Sequence, residues 1–240
     1  MMRRPLPPLV FGVVVLPLLT VLVVVVFLTF ENAPVAAQYA SVLALSYLLG
    51  SIPWGYLLLV LRRGVDIREY GSGRTGMTNV LRTGGGKLAI VVLALDLGKG
   101  ILAVLMARVV IGPNAPEVAA GLFVLVGHNW PVFLQFRGGR GILTGLGGLS
   151  IMAPIPAALA AIAFVFATLF SRYVSLGSLT GVVIAFISVL AMALAGVYSS
   201  TYTLYAFLGG AIIIWQHRDN IQRIRQGNER RLGQPARKLD

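Results

Sequence analysis

The side chains suited to binding an anion are gathered in three short patches between apolar segments or at their ends. The first patch is the segment GSIP at 50–53 followed by the loop over 62–87, RRGVDIREYGSGRTGMTNVLRTGGGK, which places Gly71, Ser72 and Gly73 ahead of Arg74. Glycine lets backbone N–H groups surround an anion, and nearby arginines supply positive charge. The loop is interpreted either as a phosphate-binding loop or as a flexible connection, and its composition favours neither. It lacks the GxxxxGKS/T spacing of a nucleotide-binding P-loop.

The second patch combines two polar side chains inside an apolar segment with a glycine-rich turn. His128 and Asn129 lie in the segment, and Gly138, Gly139 and Arg140 follow it. A polar residue within a membrane is by default a candidate site residue, although hydrogen bonding between helices is an equally common reason for it. The N–H groups of the turn beside Arg140 suit a phosphate. A simple turn with positive charge on the cytoplasmic side is the alternative.

The third patch follows the last apolar segment and contains His217 and Asn220. These residues are three apart, so a continuing helix carries both on one face, where both can donate to an anion. A polar helix end at the membrane interface is the alternative. Asp96 and Lys99 are also three apart, within an apolar segment, and they are predicted to form an ion pair that reduces the cost of their burial.

Several kinds of chemistry are disfavoured by the residues that the chain lacks. The sequence has no cysteine and two histidines, which excludes thiol chemistry and disfavours a multi-histidine metal site. The HxxxxD motif of many glycerolipid acyltransferases is missing, because Phe133 and Gln222 occupy the aspartate position relative to His128 and His217. No GxSxG nucleophile elbow occurs. With eight acidic residues in total, a metal-dependent phosphotransferase is also disfavoured.

The composition indicates an integral membrane protein. The 240 residues are 57% hydrophobic and 12% charged, whereas a soluble domain carries about 25% charged residues. The excess of 20 basic over 8 acidic residues first suggests a nucleic-acid partner. The basic residues, however, stand at the ends of apolar segments, as the positive-inside rule requires, so no nucleic-acid partner is expected.

Eight apolar segments are predicted, and their ranges are roughly 9–30, 35–61, 88–111, 117–136, 142–154, 156–171, 174–197 and 201–216. The segment 9–30 exceeds the apolar region of a signal peptide and is expected to be retained. The range 142–171 is either one long kinked helix or a pair that crosses and returns. The pair puts Arg172 and the basic tail on the side of the other basic loops, so it is favoured, with both termini in the cytoplasm.

The patches, in this order, resemble the motifs of the bacterial acyl-phosphate:glycerol-3-phosphate acyltransferases, the PlsY family. The family patterns are GSIPxGY, DIRxxGSGNxGATN, DxxKG, GHxxPVFxxFxGGKGxxT and HxxNIxRxxxGxE. The corresponding segments here are GSIPWGY at 50–56, DIREYGSGRTGMTN at 66–79, DLGKG at 96–100, GHNWPVFLQFRGGRGILT at 127–144 and HRDNIQRIRQGNE at 217–229. The resemblance extends over about residues 45–232, and several motifs in the same order make it specific.

The resemblance implies an all-α, polytopic bundle of transmembrane helices in the bacterial cytoplasmic (inner) membrane, with the active site facing the cytoplasm. The expected organisation is an additional N-terminal transmembrane helix at 1–34, a seven-span acyltransferase core at 35–217 and a basic cytoplasmic tail at 218–240. The implied reaction moves a fatty acyl group from acyl-phosphate to the 1-hydroxyl of sn-glycerol 3-phosphate. Its products are 1-acyl-glycerol 3-phosphate (lysophosphatidic acid) and phosphate, the first step of phospholipid synthesis.

The implied partners are acyl-phosphate, glycerol 3-phosphate, membrane lipid and an upstream enzyme that forms the acyl-phosphate. The mixed anhydride is already activated, so neither a cofactor, a metal nor a covalent enzyme intermediate is expected, and the phosphate of the substrate itself is a candidate proton acceptor. The positions that the motifs assign to substrate or phosphate binding are Ser51, Arg62, Arg63, Arg68, Gly71, Ser72, Gly73, Asn79, His128, Asn129, Gly138, Gly139, Arg140, His217, Asn220 and Glu229.

Within this set, the loop Gly71–Gly76 is expected to close over the acyl-phosphate. Asn79, His128 and Asn129 are expected to shape the pocket or polarise the acyl carbonyl. Glu229 is expected to orient a basic neighbour.

The chain departs from the family pattern at three motif positions. Arg74 replaces an asparagine, Met77 an alanine and Arg140 a lysine. Arginine keeps the charge of lysine but is a planar fork rather than a point charge. These departures leave open a lipid-binding relative without activity. A transporter of phosphorylated solutes is a separate alternative; it would require polar residues along a path to both faces of the membrane, and the nearly featureless external loops argue against it.

Overall fold

The computed structural model describes residues 33–239, and within that range the chain is almost entirely helical. The α-helices are α1 Val35–Ser51, α2 Trp54–Arg63, α3 Met77–Gly84, α4 Gly86–Val110, α5 Ala115–Asn129, α6 Ile142–Met152, α7 Pro154–Ser171, α8 Val174–Leu194, α9 Thr201–Gln216 and α10 Arg218–Arg225. Two short 3-10 helices occupy Ile67–Glu69 and Val132–Leu134. The prediction of an all-α fold is confirmed for this range, which contains one isolated β-bridge and no strand. The span predicted at 9–30 lies outside the described residues.

Five stretches of the described chain are long and apolar enough to cross a membrane. They are Val35–Arg63, Gly86–Val110, Ala115–Leu134, Pro154–Ser171 and Val174–Leu194. Large apolar side chains on their outer faces are exposed, as lipid contact requires. The apolar helices α6 and α9 are shorter, with 11 and 16 residues. Even the longer of these reaches only about 24 Å along its axis.

Glycines let two pairs of helices cross in close contact. A Cβ on Gly50 of α1 would collide with the carbonyl oxygen of Val124 in α5, and one on Gly127 of α5 with that of Tyr47 in α1. Since the lower-numbered residue of α1 meets the higher-numbered residue of α5, the two helices are antiparallel. Gly100 and Gly147 make the same reciprocal contact between α4 and α6. Small residues that allow backbones to approach are a common way to hold helices together in lipid, where the hydrophobic effect does not.

The helices α6 and α7 form a returning pair. Met152 ends α6 and Pro154 begins α7, because proline cannot continue the hydrogen-bond ladder of the preceding helix. This junction lies beside the ion pair of the exposed Arg108 with the buried Glu117, since the Arg108 guanidinium also donates to the carbonyl of Ile151 at 2.9 Å. The other ends of both helices lie at the opposite end of the bundle, called here the polar end, where Arg140 pairs with Asp219 and the carbonyl of Arg172 accepts the N–H of Leu232.

The polar end carries loops and short helices that lie outside the membrane spans. A cluster of apolar side chains, including Tyr56, Leu59, Ile67 and Val80, packs α2 and α3 against α4. The segment predicted as a basic tail begins with α10, and the residues that follow fold back onto the first loop. The N–H of Gly71 donates to the carbonyl of Arg237 at 2.8 Å, and the isolated bridge joins Tyr70 to Lys238.

Candidate functional site

A cavity of about 400 Å³ extends into the bundle from its polar end. Its mouth is cationic and polar, with Arg74, Arg82, Arg140, His217 and Glu229 in its wall. Its inner part is apolar and is lined by α6, α7, α8 and α9, through side chains such as Leu146, Leu149, Phe164, Val182, Ala185 and Ala206. A group with negative charge and an attached apolar chain fits both parts together.

Arg140 follows the glycine-rich turn after α5 and is held in place from the third patch. Its Nη2 donates to Oδ2 of Asp219 at 3.0 Å, and its Nε donates to the carbonyl of Gln216 at 3.3 Å. Burial lowers the pKa of Arg140 to about 10, against the opposing effect of Asp219, so the guanidinium remains charged at neutral pH. The cavity therefore contains a cation that is oriented and incompletely hydrated, which is the state in which it binds an anion most strongly.

His217 lies at the end of α9, where its ring is oriented by the backbone. Its Nδ1 is 2.8 Å from the carbonyl oxygen of Ile213, which can only accept, so Nδ1 carries the proton. Burial, followed by the nearby charge of Arg140, lowers the pKa of His217 to about 4. The neutral ring consequently leaves Nε2 as an acceptor, and it becomes a donor only when an anion compensates the added charge.

Glu229 connects the third patch to α8. Its Oε1 accepts from the Ser175 hydroxyl at 2.9 Å and from the Asn220 side-chain amide at 2.7 Å, and its Oε2 accepts from Arg223 at 2.8 Å. The carboxylate thereby fixes the orientation of Asn220, whose Oδ1 has no hydrogen-bond partner among the described residues. The expectation that Glu229 orients a basic neighbour corresponds to its contact with Arg223.

Asn79 organises the glycine-rich loop from the first turns of α3. Its side-chain amide donates to the carbonyls of Tyr70 and Arg74 at 3.0 and 2.9 Å, and its Oδ1 accepts the N–H of Ser72 at 3.2 Å. Gly71 has a φ of 59°, and a Cβ there would collide with the Asn79 amide. The loop is therefore ordered around one buried side chain, which answers the alternative of a flexible connection.

An ion-pair network lies deeper, where α4 meets α5. The Asp96 carboxylate is 3.0 Å from Lys99 Nζ, which confirms the predicted pair, and 3.6 Å from His128 Nδ1. Lys99 also donates to the carbonyls of Gly50 and Ile52, at the break between α1 and α2. His128 packs against Gly139, where a Cβ would collide with its ring. The network ties α1, α4 and α5 together beside the cavity.

Seven of the sixteen predicted site residues line the cavity, and they are Ser72, Asn79, His128, Arg140, His217, Asn220 and Glu229. Gly71, Gly73, Gly138 and Gly139 belong to the turns behind that wall. Ser51 and Asn129 are fully buried outside the lining, and neither side chain has a hydrogen-bond partner among the described residues.

The remaining three predicted residues are arginines of the first patch that do not line the cavity. Arg62 and Arg63 are exposed at the end of α2. Arg68 pairs with Asp66 at 2.6 Å and covers the ring of Tyr56. These contacts give Arg68 a part in holding the loop.

Sequence reasoning missed other residues of the wall. Arg82, on α3, lines the cavity and donates to the carbonyl of Arg230 at 3.4 Å. Ser175 and Tyr205 also line it, and the Tyr205 hydroxyl donates to the carbonyl of Gly145 at 2.9 Å. A hydroxyl in an apolar helix gives no signal of its own in the sequence, whereas Arg82 stood in the first patch and carried the same signal as Arg74.

The cavity has a cationic mouth and an apolar chamber, and it lies among helices that are long enough to span a membrane. These features define a membrane protein that binds molecules with an anionic group and an apolar chain. Residues 40–227 match the family model of glycerol-3-phosphate acyltransferase. The chain is 44% identical over 213 residues to glycerol-3-phosphate acyltransferase 3 of Dehalococcoides mccartyi, covering 84% of this chain and 99% of the relative. It is 42% identical over 200 residues to the glycerol-3-phosphate acyltransferase of Thermoanaerobacter pseudethanolicus, covering 82% and 98%.

Two solved structures agree with these relatives. They are crystal structures of PlsY (YgiH), an integral membrane glycerol 3-phosphate acyltransferase, in its glycerol 3-phosphate form and its lysophosphatidic acid form. Their TM-scores are 0.75 and 0.74 and their identities 38% and 37%, with 81% of this chain covered in both cases and 96% and 95% of the PlsY chains. The chain belongs to the glycerol-3-phosphate acyltransferase family, and it is a membrane acyltransferase.

Proposed function

We propose that the protein transfers a fatty acyl group from acyl-phosphate to the 1-hydroxyl of sn-glycerol 3-phosphate, giving 1-acyl-glycerol 3-phosphate (lysophosphatidic acid) and inorganic phosphate. The observation that carries the proposal is the continuity of the cationic mouth with the apolar chamber in one cavity. Both substrates carry a phosphate and one carries a long apolar chain. Family membership and the two ligand forms of the PlsY structures support the acceptor and the product.

The reaction balances without a covalent enzyme intermediate. The oxygen of the 1-hydroxyl attacks the acyl carbonyl carbon, the bond between that carbon and the phosphate oxygen breaks, and phosphate leaves. The hydroxyl proton passes to a phosphate oxygen of the donor, so the substrate supplies its own base. The protein contributes by holding two anions close together and by stabilising the charge on the leaving phosphate.

Arg140, His217 and Asn220 are assigned to phosphate binding in this proposal. Arg140 is charged and oriented, and the amide of Asn220 has a fixed orientation because Glu229 accepts one of its N–H bonds. An approaching phosphate favours protonation of His217 at Nε2, since its negative charge offsets the burial that otherwise keeps the ring neutral. The loop Gly71–Gly76, ordered by Asn79, closes the mouth from the side of α3.

The proposed topology has seven membrane spans in the range 35–217, after an additional N-terminal span within 1–34, with both termini and the tail 218–240 in the cytoplasm. The return of α7 to the polar end supports this count, because it brings Arg172 to the same end as Arg140. The polar end then faces the cytoplasm of a bacterial inner membrane. An enzyme that forms the acyl-phosphate is the expected upstream partner.

The test uses the purified full chain in nanodiscs with glycerol 3-phosphate and palmitoyl phosphate, and with palmitoyl-CoA at the same concentration in place of palmitoyl phosphate. We expect palmitoyl phosphate to give lysophosphatidic acid and phosphate in equal amounts, and we expect no acyl transfer from palmitoyl-CoA. Transfer from palmitoyl-CoA alone, or phosphate release without lysophosphatidic acid, contradicts the proposal. Reconstituted vesicles that accumulate glycerol 3-phosphate without acylating it would instead identify a transporter.

A further inference from the structure

A second pocket lies beside the mouth of the cavity, and the proposed acyl transfer does not use it. Its volume is about 340 Å³. Its lining residues are Gly73, Arg74, Trp130, Phe136, Arg137, Trp215, Gln216 and Arg218. Arg74 alone among the charged residues lines both pockets.

The charge of this second pocket has one sign. Three guanidinium groups line it, from Arg74, Arg137 and Arg218, and no acidic side chain of the described residues does. Arg218 is held over the ring of Trp215, 5.0 Å from its centroid, and donates to the Trp215 carbonyl at 3.0 Å. Three guanidinium groups in the wall of one pocket are typical of a site for a phosphate, which they can bind through paired hydrogen bonds.

The other wall of the pocket is aromatic and faces outward. Trp130 directly follows the last residue of α5 and Trp215 lies in the last turn of α9, so both stand at helix ends. The side chains of Trp215 and Phe136 are 61% and 59% exposed. Tryptophan at helix ends is typical of the membrane interface, where phospholipid headgroups lie.

The backbone holds Phe136 in this exposed position against a conformational cost. Gln135 and Phe136 have φ angles of 56° and 61°, a region that residues with a side chain rarely adopt. The N–H of Phe136 donates to the carbonyl of Pro131 at 2.9 Å, and that of Arg137 to Leu134 at 3.2 Å, which together fix the turn. Such strain is usually kept where a side chain has a function in its position.

We propose that this second pocket binds the phosphate headgroup of an anionic membrane phospholipid. The three arginines bind the phosphate, and the aromatic wall contacts the glycerol backbone and the upper part of the acyl chains. A free phosphate would need only the guanidinium groups, whereas the exposed aromatic side chains gain contacts only from a lipid. Free phosphate and a phospholipid headgroup both present phosphate oxygens, so the experiment must distinguish these two ligands.

Binding at this pocket is coupled to the cavity through Gln216. Arg74 donates to Oε1 of Gln216 at 3.2 Å, and Arg140 donates to the carbonyl of the same residue at 3.3 Å. A headgroup that draws Arg74 outward removes one cation from the mouth of the cavity. Anionic lipid is therefore expected to raise KM for glycerol 3-phosphate.

The test measures lipid selectivity without any acyl transfer, so its result is independent of the proposed reaction. Trp54→Phe leaves Trp130 and Trp215 as the fluorophores of the full chain. Their quenching is compared in phosphatidylcholine nanodiscs that contain the same fraction of brominated phosphatidylglycerol or brominated phosphatidylcholine. The proposal predicts stronger quenching by phosphatidylglycerol. Arg137→Gln with Arg218→Gln should reduce this selectivity about fivefold for each arginine.

A matched control removes the same charge elsewhere on the polar end, through Arg225→Gln with Arg231→Gln, both of which are exposed. The control should keep the selectivity of the parent. Equal quenching by the two lipids in the parent, or an equal loss in the control, overturns the proposal. Loss of the selectivity on adding inorganic phosphate at constant ionic strength also overturns it, because the occupant would then be free phosphate.

Discussion

Replacing Arg140 by alanine tests the cavity at the residue whose geometry is best defined. The guanidinium is anchored by Asp219 and by the carbonyl of Gln216, and its remaining N–H groups are available to a phosphate at the mouth. A hydrogen bond to a charged group contributes about 1.5–3 kcal/mol. Its loss therefore lowers kcat/KM by roughly tenfold to hundredfold.

The expected stability cost of Arg140→Ala is limited, because Asp219 keeps a second partner. Arg223 lies 3.4 Å from the same carboxylate oxygen, so the carboxylate is not left unpaired. Two hydrogen bonds of a charged group are lost, at about 1.5–3 kcal/mol each, and the cost of burying the guanidinium charge, which is also removed, offsets part of this loss. The melting temperature should fall by a few degrees, and the protein should remain monodisperse in detergent.

The assay is the initial rate of lysophosphatidic acid formation with each substrate varied in turn. We expect an increase of KM for one phosphorylated substrate, and Arg140→Lys should recover most of the loss because it restores the charge. Arg225→Ala, an exposed arginine of α10, is the control and should leave both constants unchanged. An unchanged KM and kcat in Arg140→Ala would remove Arg140 from the site.

Three further substitutions test how the site is held. Asn79→Ala leaves the buried loop carbonyls without donors and should destabilise the protein by about 2–4 kcal/mol in thermal unfolding. Asn79→Asp cannot donate either and should be destabilised to the same extent. A stable Asp variant would contradict this role. Gly100→Val should abolish folding in size-exclusion chromatography because a Cβ there meets the backbone of α6, whereas Gly98→Val, with open space around it, should fold. Glu229→Gln removes an acceptor from the third patch and should raise KM for a phosphorylated substrate roughly tenfold. The control is Glu69→Gln, which affects the exposed ion pair of Glu69 with Lys238. An increase of KM in Glu229→Gln no larger than that in the control would argue against this role of Glu229.

The positions of the helices were largely predictable, because a helix that crosses the hydrocarbon core of a membrane needs a long run of apolar residues, and such runs are visible in the sequence. The segments predicted within 35–216 correspond to α1–α2 and to α4–α9 with small shifts at their ends. The break at Pro53 was not predicted, since the apolar run continues across it. Its local cause is Pro53, which has no N–H to continue the helix, and Lys99 donates to the carbonyls of Gly50 and Ile52, which the interrupted helix leaves free.

The site was predictable by motif and not by geometry. The charges of Arg68 and Arg140 made both residues equal candidates for phosphate binding. In the structure, however, the Arg68 guanidinium pairs with Asp66 at 2.6 Å and does not line the cavity. The polar lining from α8 and α9 was missed, because Ser175 and Tyr205 differ from ordinary helix residues only in what they face. The course of residues 226–239 over the first loop was also unpredicted, since it depends on backbone hydrogen bonds that any sequence can make.

The most direct test of the central claim is a structure of the protein with a non-hydrolysable acyl-phosphonate. The account predicts phosphonate oxygens about 3 Å from the Arg140 guanidinium, with His217 and Asn220 in the same site and the acyl chain between α6, α7, α8 and α9. A phosphonate bound away from Arg140, or an acyl chain outside the apolar chamber, would contradict it.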